Sequence, residues 1–186
     1  MHQTHLRLTT VGNPPQPALV HLPESLTECR ELRVLCVNDN QLEDLPREIG
    51  RLHKLREIQA SRNKITFIPD SVGSLHQLQW LLLDSNQLVT TPESLGNIIT
   101  LSRLELRHNS LVAIPDSSVR HLQNLRVLST DNNPSLVTLP SSLQGLPLLE
   151  KLYVSRRQQD NLPPTLIHEN TKFPPLWCCV VGDGIS

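Results

Sequence analysis

The sequence predicts an α/β solenoid, with a parallel sheet along its concave face and short helical or 3-10 turns along its convex face. Three observations carry that prediction. Apolar-proline pairs recur at a nearly constant step; the apolar residues inside each step keep a strand-then-turn spacing; and the 186-residue chain is rich in Leu but only 3% aromatic. Leu used where other proteins use Phe and Trp, at even intervals, suits a stack of similar layers.

The stretch from Ile68 to Thr90, IPDSVGSLHQLQWLLLDSNQLVT, is the cleanest layer. In it Leu78, Leu81, Leu83, Asn86 and Leu88 follow the order L-x-x-L-x-L-x-x-N-x-L. Leu81 and Leu83 are two apart, the strand period, so both point to one face. Val72, Leu75 and Leu78 are three apart and suit a short turn packing behind the strand.

Proline-ended pairs begin at Leu22, Leu45, Ile68, Thr91, Ile114, Leu139 and Leu162, in steps of 23 residues with a single step of 25. The longer step holds one extra residue before Val119 and another at Asn133-Pro134-Ser135. Asn40, Asn63, Asn86, Asn109 and Asn133 keep the same beat, and the sixth copy has Arg157 in that place. Such a column is expected to satisfy backbone groups where each strand turns. Cys29 stands where other copies have Leu or Ile and reads as a small core residue. The domain reading is therefore an irregular segment over 1–21, a repeat domain over 22–161 and a linker with an apolar tail over 162–186. Leu6 and Leu8 have strand spacing, but Asn13-Pro14-Pro15-Gln16-Pro17 breaks the register and reads as a loop.

These units resemble leucine-rich repeats, specifically the 23-residue intracellular kind with Leu-Pro at the head of each convex segment. That subclass is similar to the Ras-group repeat proteins and to the repeat regions of Roco proteins. The resemblance covers about residues 22–161 and implies a leucine-rich repeat solenoid. One such layer cannot bury its apolar face alone, so stacking is compulsory.

A net charge of −1 gives no global field for nucleic acid or an anionic membrane. No apolar run is long enough to span a bilayer, and Met1 to His5 do not begin a signal peptide. Cys29, Cys36, Cys178 and Cys179 form no framework of spaced pairs, so a reducing, cytoplasmic location is expected. The repeats contain no paired-carboxylate, Ser/His/Asp or Cys/His arrangement of usable spacing. His53 and His76 are equivalent surface positions without further ligands. The expectation is no catalysis, no cofactor and no metal.

Function is then expected on the outward strand positions, from Arg33, Val34, Cys36 and Asn38 through Ser61, Ser129 and Asp131 to Lys151, Tyr153 and Ser155. Within this strip Trp80 and Leu82 are apolar, and Asp84, Arg103, Glu105, Arg107 and Tyr153 lie near them in the repeat register. Trp, Tyr and Arg dominate binding hot spots. These seven residues are the candidate protein-binding site, and for Trp80 the alternative is an aromatic resting on its neighbours. Mixed charge favours a folded protein partner over nucleic acid. By family resemblance that partner is a small GTPase or a kinase pathway component, and the chain is a signalling scaffold.

The tail leaves two readings open. Leu176 to Val181 followed by Gly182-Asp183-Gly184 resembles the first strand and loop of a Ras- or Rho-like GTPase, as in a Roco protein whose nucleotide domain begins near residue 176. The sequence ends at Ser186 without the Gly-Lys-Ser/Thr that cradles phosphate. The other reading is a strand closing the solenoid.

Overall fold

The architecture comes from a computed structural model, which describes residues 4–8, 17–162 and 166 and the backbone of 177–181. Eight parallel strands lie side by side in chain order. They are β1 (His5–Arg7), β2 (Val34–Cys36), β3 (Glu57–Gln59), β4 (Trp80–Leu82), β5 (Arg103–Glu105), β6 (Val127–Ser129), β7 (Lys151–Ser155) and β8 (Trp177–Val181). The inward residues Leu35, Ile58, Leu81, Leu104, Leu128 and Leu152 of β2 to β7 pair in one row and are buried at 0–1% exposure. This row is the spine of the core, since apolar area withdrawn from water is the main favourable term in folding.

Behind the strands run six 3-10 turns, η1 (Glu24–Glu28), η2 (Ile49–Arg51), η3 (Asp70–Ser74), η4 (Glu93–Asn97), η5 (Asp116–Ser118) and η6 (Ser141–Gly145). Five of them follow directly on a proline, whose missing N–H would have no partner at a turn's start. Successive turns approach closely at Gly73, where an added Cβ would lie 2.6 Å from the Ser94 carbonyl oxygen. Thr91 replaces the usual aliphatic and is 1% exposed. Its hydroxyl donates to Ser118 at 3.1 Å, and Ser118 donates to the Pro92 carbonyl at 3.0 Å. The extra residue of the fifth copy therefore sits where it satisfies a polar group in the core.

The Asn column ties each strand end to its neighbours. Nδ2 of Asn86 donates to the carbonyls of Ala60, Leu83 and Asp84, while its Oδ1 accepts the Ile65 N–H, all at 3.0–3.3 Å. The residue before each column Asn (Asp39, Arg62, Ser85, His108 and Asn132) has φ of 52–59°. None is Gly, so the left-handed turn is imposed by the surrounding bonds rather than by backbone freedom.

Away from the outer face, three places differ from the sequence reading. The first is near the start, where the segment read as irregular contributes β1, paired in register with β2. Asn40 donates to the Leu8 carbonyl at 2.8 Å, as Asn63 does to Val37 one layer on. The second is Cys29, which is exposed rather than a core residue. It caps η1, which packs on the following turn and has no turn before it among the described residues. The third is the missing sixth Asn: Gln158, 1% exposed, donates to the Thr130 carbonyl at 3.2 Å and accepts the Ser155 N–H at 2.8 Å. It lies in α1 (Arg156–Gln159), one position past Arg157, and its longer amide reaches the carbonyl that the repeat requires. Beyond it, the β8 backbone pairs with β7 from Lys151↔Trp177 to Ser155↔Val181. That pairing continues the sheet, while Gly182 to Ser186 lie outside the described residues. No described helix is long and apolar enough to cross a membrane.

Candidate functional site: the exposed face of the sheet

Strand alternation sends the residues flanking each central Leu to the outer face. The pairing arranges them in two rows, Val34–Glu57–Trp80–Arg103–Val127–Lys151 and Cys36–Gln59–Leu82–Glu105–Ser129–Tyr153. Trp80 stands between Glu57 and Arg103, and Leu82 between Gln59 and Glu105. Trp80 is 42% exposed, whereas Leu82 and Tyr153 are half-buried. Tyr153 is three strands from Leu82, about 14 Å at the usual strand spacing. The register thus groups Trp80, Leu82, Asp84, Arg103, Glu105 and Arg107 and leaves Tyr153 apart.

Several positions expected on this face are covered. Cys36, Ser61, Ser129, Asp131 and Ser155 are all buried. The row that begins at Asn38 is turned toward the next strand and caps it. The Asn38 Oδ1 accepts the Ser61 N–H at 2.8 Å, and the Asp84 Oδ1 accepts the Arg107 N–H at 3.2 Å. Asp131 is the counterpart beside β7, but the Ser155 N–H goes to Gln158 instead, and the Asp131 Oδ1 is buried without a partner.

The strongest electrostatic feature is a pair of neighbouring carboxylates. Asp84 and Glu105 lie on adjacent layers with side chains only 16% and 14% exposed. Burial, then hydrogen bonding to the facing Glu105 carboxyl and its charge, push Asp84 up to about 7, against the pull of Arg107. Arg103 is ion-paired to Glu105, and Arg107 Nε lies 4.0 Å from Asp84. The sequence carried a signal for this pair: 84 and 105 differ by one repeat less two residues, the diagonal on which Asn38 also meets Gln59. Asp39, in the bend after β2, behaves oppositely, held below its ordinary value by its hydrogen bond to Arg62.

No nucleophile stands beside these carboxylates among the groups bonded to them. Among the described residues no three His, Cys, Asp or Glu are grouped to hold a metal ion. The face offers an aromatic plate, an aliphatic patch and charges of both signs, a chemistry of contact.

The family model for the leucine-rich repeat region matches residues 16–162. Among solved structures, the chain is similar to a Leptospira interrogans leucine-rich repeat protein, LIC12759, at 27% identity and TM-score 0.60. That match covers 72% of this chain and 39% of the other. It is also similar to the plant peptide hormone receptor RGFR1, solved in complex with RGF2, at 26% identity and TM-score 0.61. Here 85% of this chain and 29% of the receptor are covered, so the chain spans well under half of either protein. No curated protein matches it. Sequence period, sheet register and family model agree, and the chain belongs to the leucine-rich repeat family.

Proposed function

We propose that the chain is a non-enzymatic scaffold module that holds a protein partner on the concave face of its sheet. Leucine-rich repeat folds commonly serve as protein–protein interaction modules. The fold neighbour RGFR1 is a receptor for a peptide hormone. The observation that carries the reading is Trp80, exposed at 42% in the middle strand between Glu57 and Arg103. An aromatic ring held open among charged neighbours has the anchor-and-rim layout of a binding hot spot. Leu82 extends the apolar centre, Asp84, Arg103, Glu105 and Arg107 form its charged border, and Tyr153 provides a second aromatic contact along the strip. The setting we propose is cytoplasmic signalling, with a small GTPase or a kinase pathway component as partner.

The test is affinity capture with the full chain, comparing wild type with Trp80→Ala/Leu82→Ala. Neither side chain belongs to the fully buried spine, so the double variant should keep its circular dichroism spectrum and cooperative melting. Captured partners should fall by about tenfold or more, the scale of one hot-spot loss. Equal capture by a folded variant would move the binding surface elsewhere.

A further inference from the structure

The arginines of the exposed face fall into two groups. Arg103 meets Glu105, Arg107 stands 4.0 Å from Asp84, and Arg126 pairs with Glu150. Arg7, Arg33 and Arg56, toward the N-terminal end of the sheet, are exposed and make no ion pair among the described residues. The contrast is sharpest between equivalent positions. The Arg56 N–H donates to the Arg33 carbonyl at 2.8 Å, as the Glu150 N–H donates to the Arg126 carbonyl at 2.9 Å. The backbone relation is the same, and at the second place it brings a guanidinium against a carboxylate. At the first it sets two guanidinium-bearing chains side by side with no ion pair to an acid among the described residues.

Nearby carboxylates are committed elsewhere. Glu31, two residues before Arg33, is bonded to Lys54 at 2.6 Å, and Glu57 is half-buried and hydrogen-bonded to Gln59. Like charges on neighbouring strands cost stability, and an anion bridging them removes that cost. Paired guanidinium groups favour carboxylates because both oxygens are engaged in a planar fork. The pair also borders the apolar centre: the Trp80 N–H donates to the Arg56 carbonyl at 3.1 Å. Along the same edge, beyond Arg56, lies an open hollow of about 310 Å³ lined by Gln79, Thr100, Ser102, Asn124 and Arg126. An extended segment laid along this edge meets two cations with no described ion-pair partner, then Trp80, then a polar hollow that ends at Arg126, itself paired with Glu150.

We propose that Arg33 and Arg56 form a docking subsite for Asp or Glu side chains of an acidic segment in the protein partner, next to an apolar residue seated on Trp80. The inference rests on the concave-face reading and adds the chemistry of the partner to it. Charge complementarity selects the acidic occupant: the face supplies acids to Arg103, Arg107 and Arg126 and leaves this pair without one among the described residues.

The probe is a phage-displayed library of random, unphosphorylated 12-residue peptides, selected on the full wild-type chain. Selected peptides should carry Asp and Glu at about threefold or more above the input library, close to an apolar residue. Their binding should fall about tenfold, equivalent to 1.4 kcal/mol, in Arg33→Gln/Arg56→Gln. It should vanish in Arg33→Glu/Arg56→Glu, with both variants checked for native melting. Selection that yields no binders, binders without acidic enrichment, or acidic binders indifferent to both arginine variants overturns the subsite. So does single-stranded DNA binding more tightly than every selected peptide. Peptides that ignore the arginine changes but are lost in Trp80→Ala/Leu82→Ala leave the concave reading standing. Peptides indifferent to all the variants sink both readings.

Discussion

Asn38–Gln59 and Asp84–Glu105 occupy the same diagonal of the sheet, two layers apart, and do opposite things there. In the first, an amide donates to an amide oxygen at 3.2 Å, and no charge is withdrawn from water. In the second, two carboxyl groups face each other at 16% and 14% exposure, and Asp84 takes a proton near neutral pH. The backbone is indifferent to the exchange, since Asn38 and Asp84 each accept the N–H of the next layer with one oxygen. A repeat fold thus fixes geometry by its core and leaves the face free to hold a relaxed pair in one layer and a strained one in another. The N-terminal diagonal stabilises, whereas the middle one gives up stability for charge next to Leu82.

The largest expected effect comes from removing what both diagonals share. Asn86→Ala deletes donors to three carbonyls and the acceptor for the Ile65 N–H. Several buried groups would lose their partners at ~1–3 kcal/mol each, so a loss of about 3–5 kcal/mol is expected in urea unfolding. The same bonds hold the Asp84 carbonyl, so the acidic diagonal should lose its fixed geometry as well. A loss below about 1 kcal/mol would mean that water replaces the amide and that the column does not set the frame.

Next in size is Asp84→Asn, which gives the middle layer the residue found at Asn38. With Asp84 at about 7 in the folded chain and near 3.9 unfolded, the folded state holds a proton that the unfolded state has released between those values. Stability of the wild type should therefore fall as pH rises from about 4 to about 7, and the full penalty is present above that window. About three pKa units correspond to roughly 4 kcal/mol, so the variant should be more stable by about 2–4 kcal/mol at pH 8. The difference should disappear below about pH 4, where the wild-type carboxyl is protonated in both states. Thermal melting of both proteins from pH 4 to pH 8 measures it, and parallel curves would remove Asp84 as the source of the drift.

The fold was almost wholly legible in the sequence because its cause is periodic: Leu81, Leu83 and Asn86 recur at one step, and the core uses every recurrence. What escaped was whatever depended on a side chain reaching between layers or on an end of the stack. Gln158 replaces the missing Asn by one extra methylene and a shift of one residue, which a column read at fixed spacing passes over. Cys29 keeps its column but is exposed, at the cap of the first described turn. Asp131 has the alternation of an outward residue, yet it is buried at 1% exposure. On the face itself, Trp80 and Leu82 stood out by type, whereas the Asp84–Glu105 pair shows only when the repeat is read along its diagonal, at an offset of 21 residues rather than the full step.

The smallest expected effect separates the two causes that make the middle diagonal unlike the first. Glu105→Gln leaves Asp84 buried and still bonded to the Arg107 N–H but removes the facing acid, so Asp84 faces an amide, as Asn38 does. Because burial is the largest single cause of the rise and stays in this variant, the pH drift should persist with its upper limit moved part of the way toward the ordinary carboxylate value. The gain at pH 8 should be about 1 kcal/mol, clearly less than for Asp84→Asn, since an interaction of this kind is one part of the shift. Arg103 loses its partner in this variant, but at 46% exposure its hydration replaces most of the ion pair. Melting Glu105→Gln beside Asp84→Asn over the same pH range decides the matter. If both variants flatten the drift equally, the facing carboxyl is the whole cause, and the middle layer differs from the first by one charge rather than by the dryness of its face.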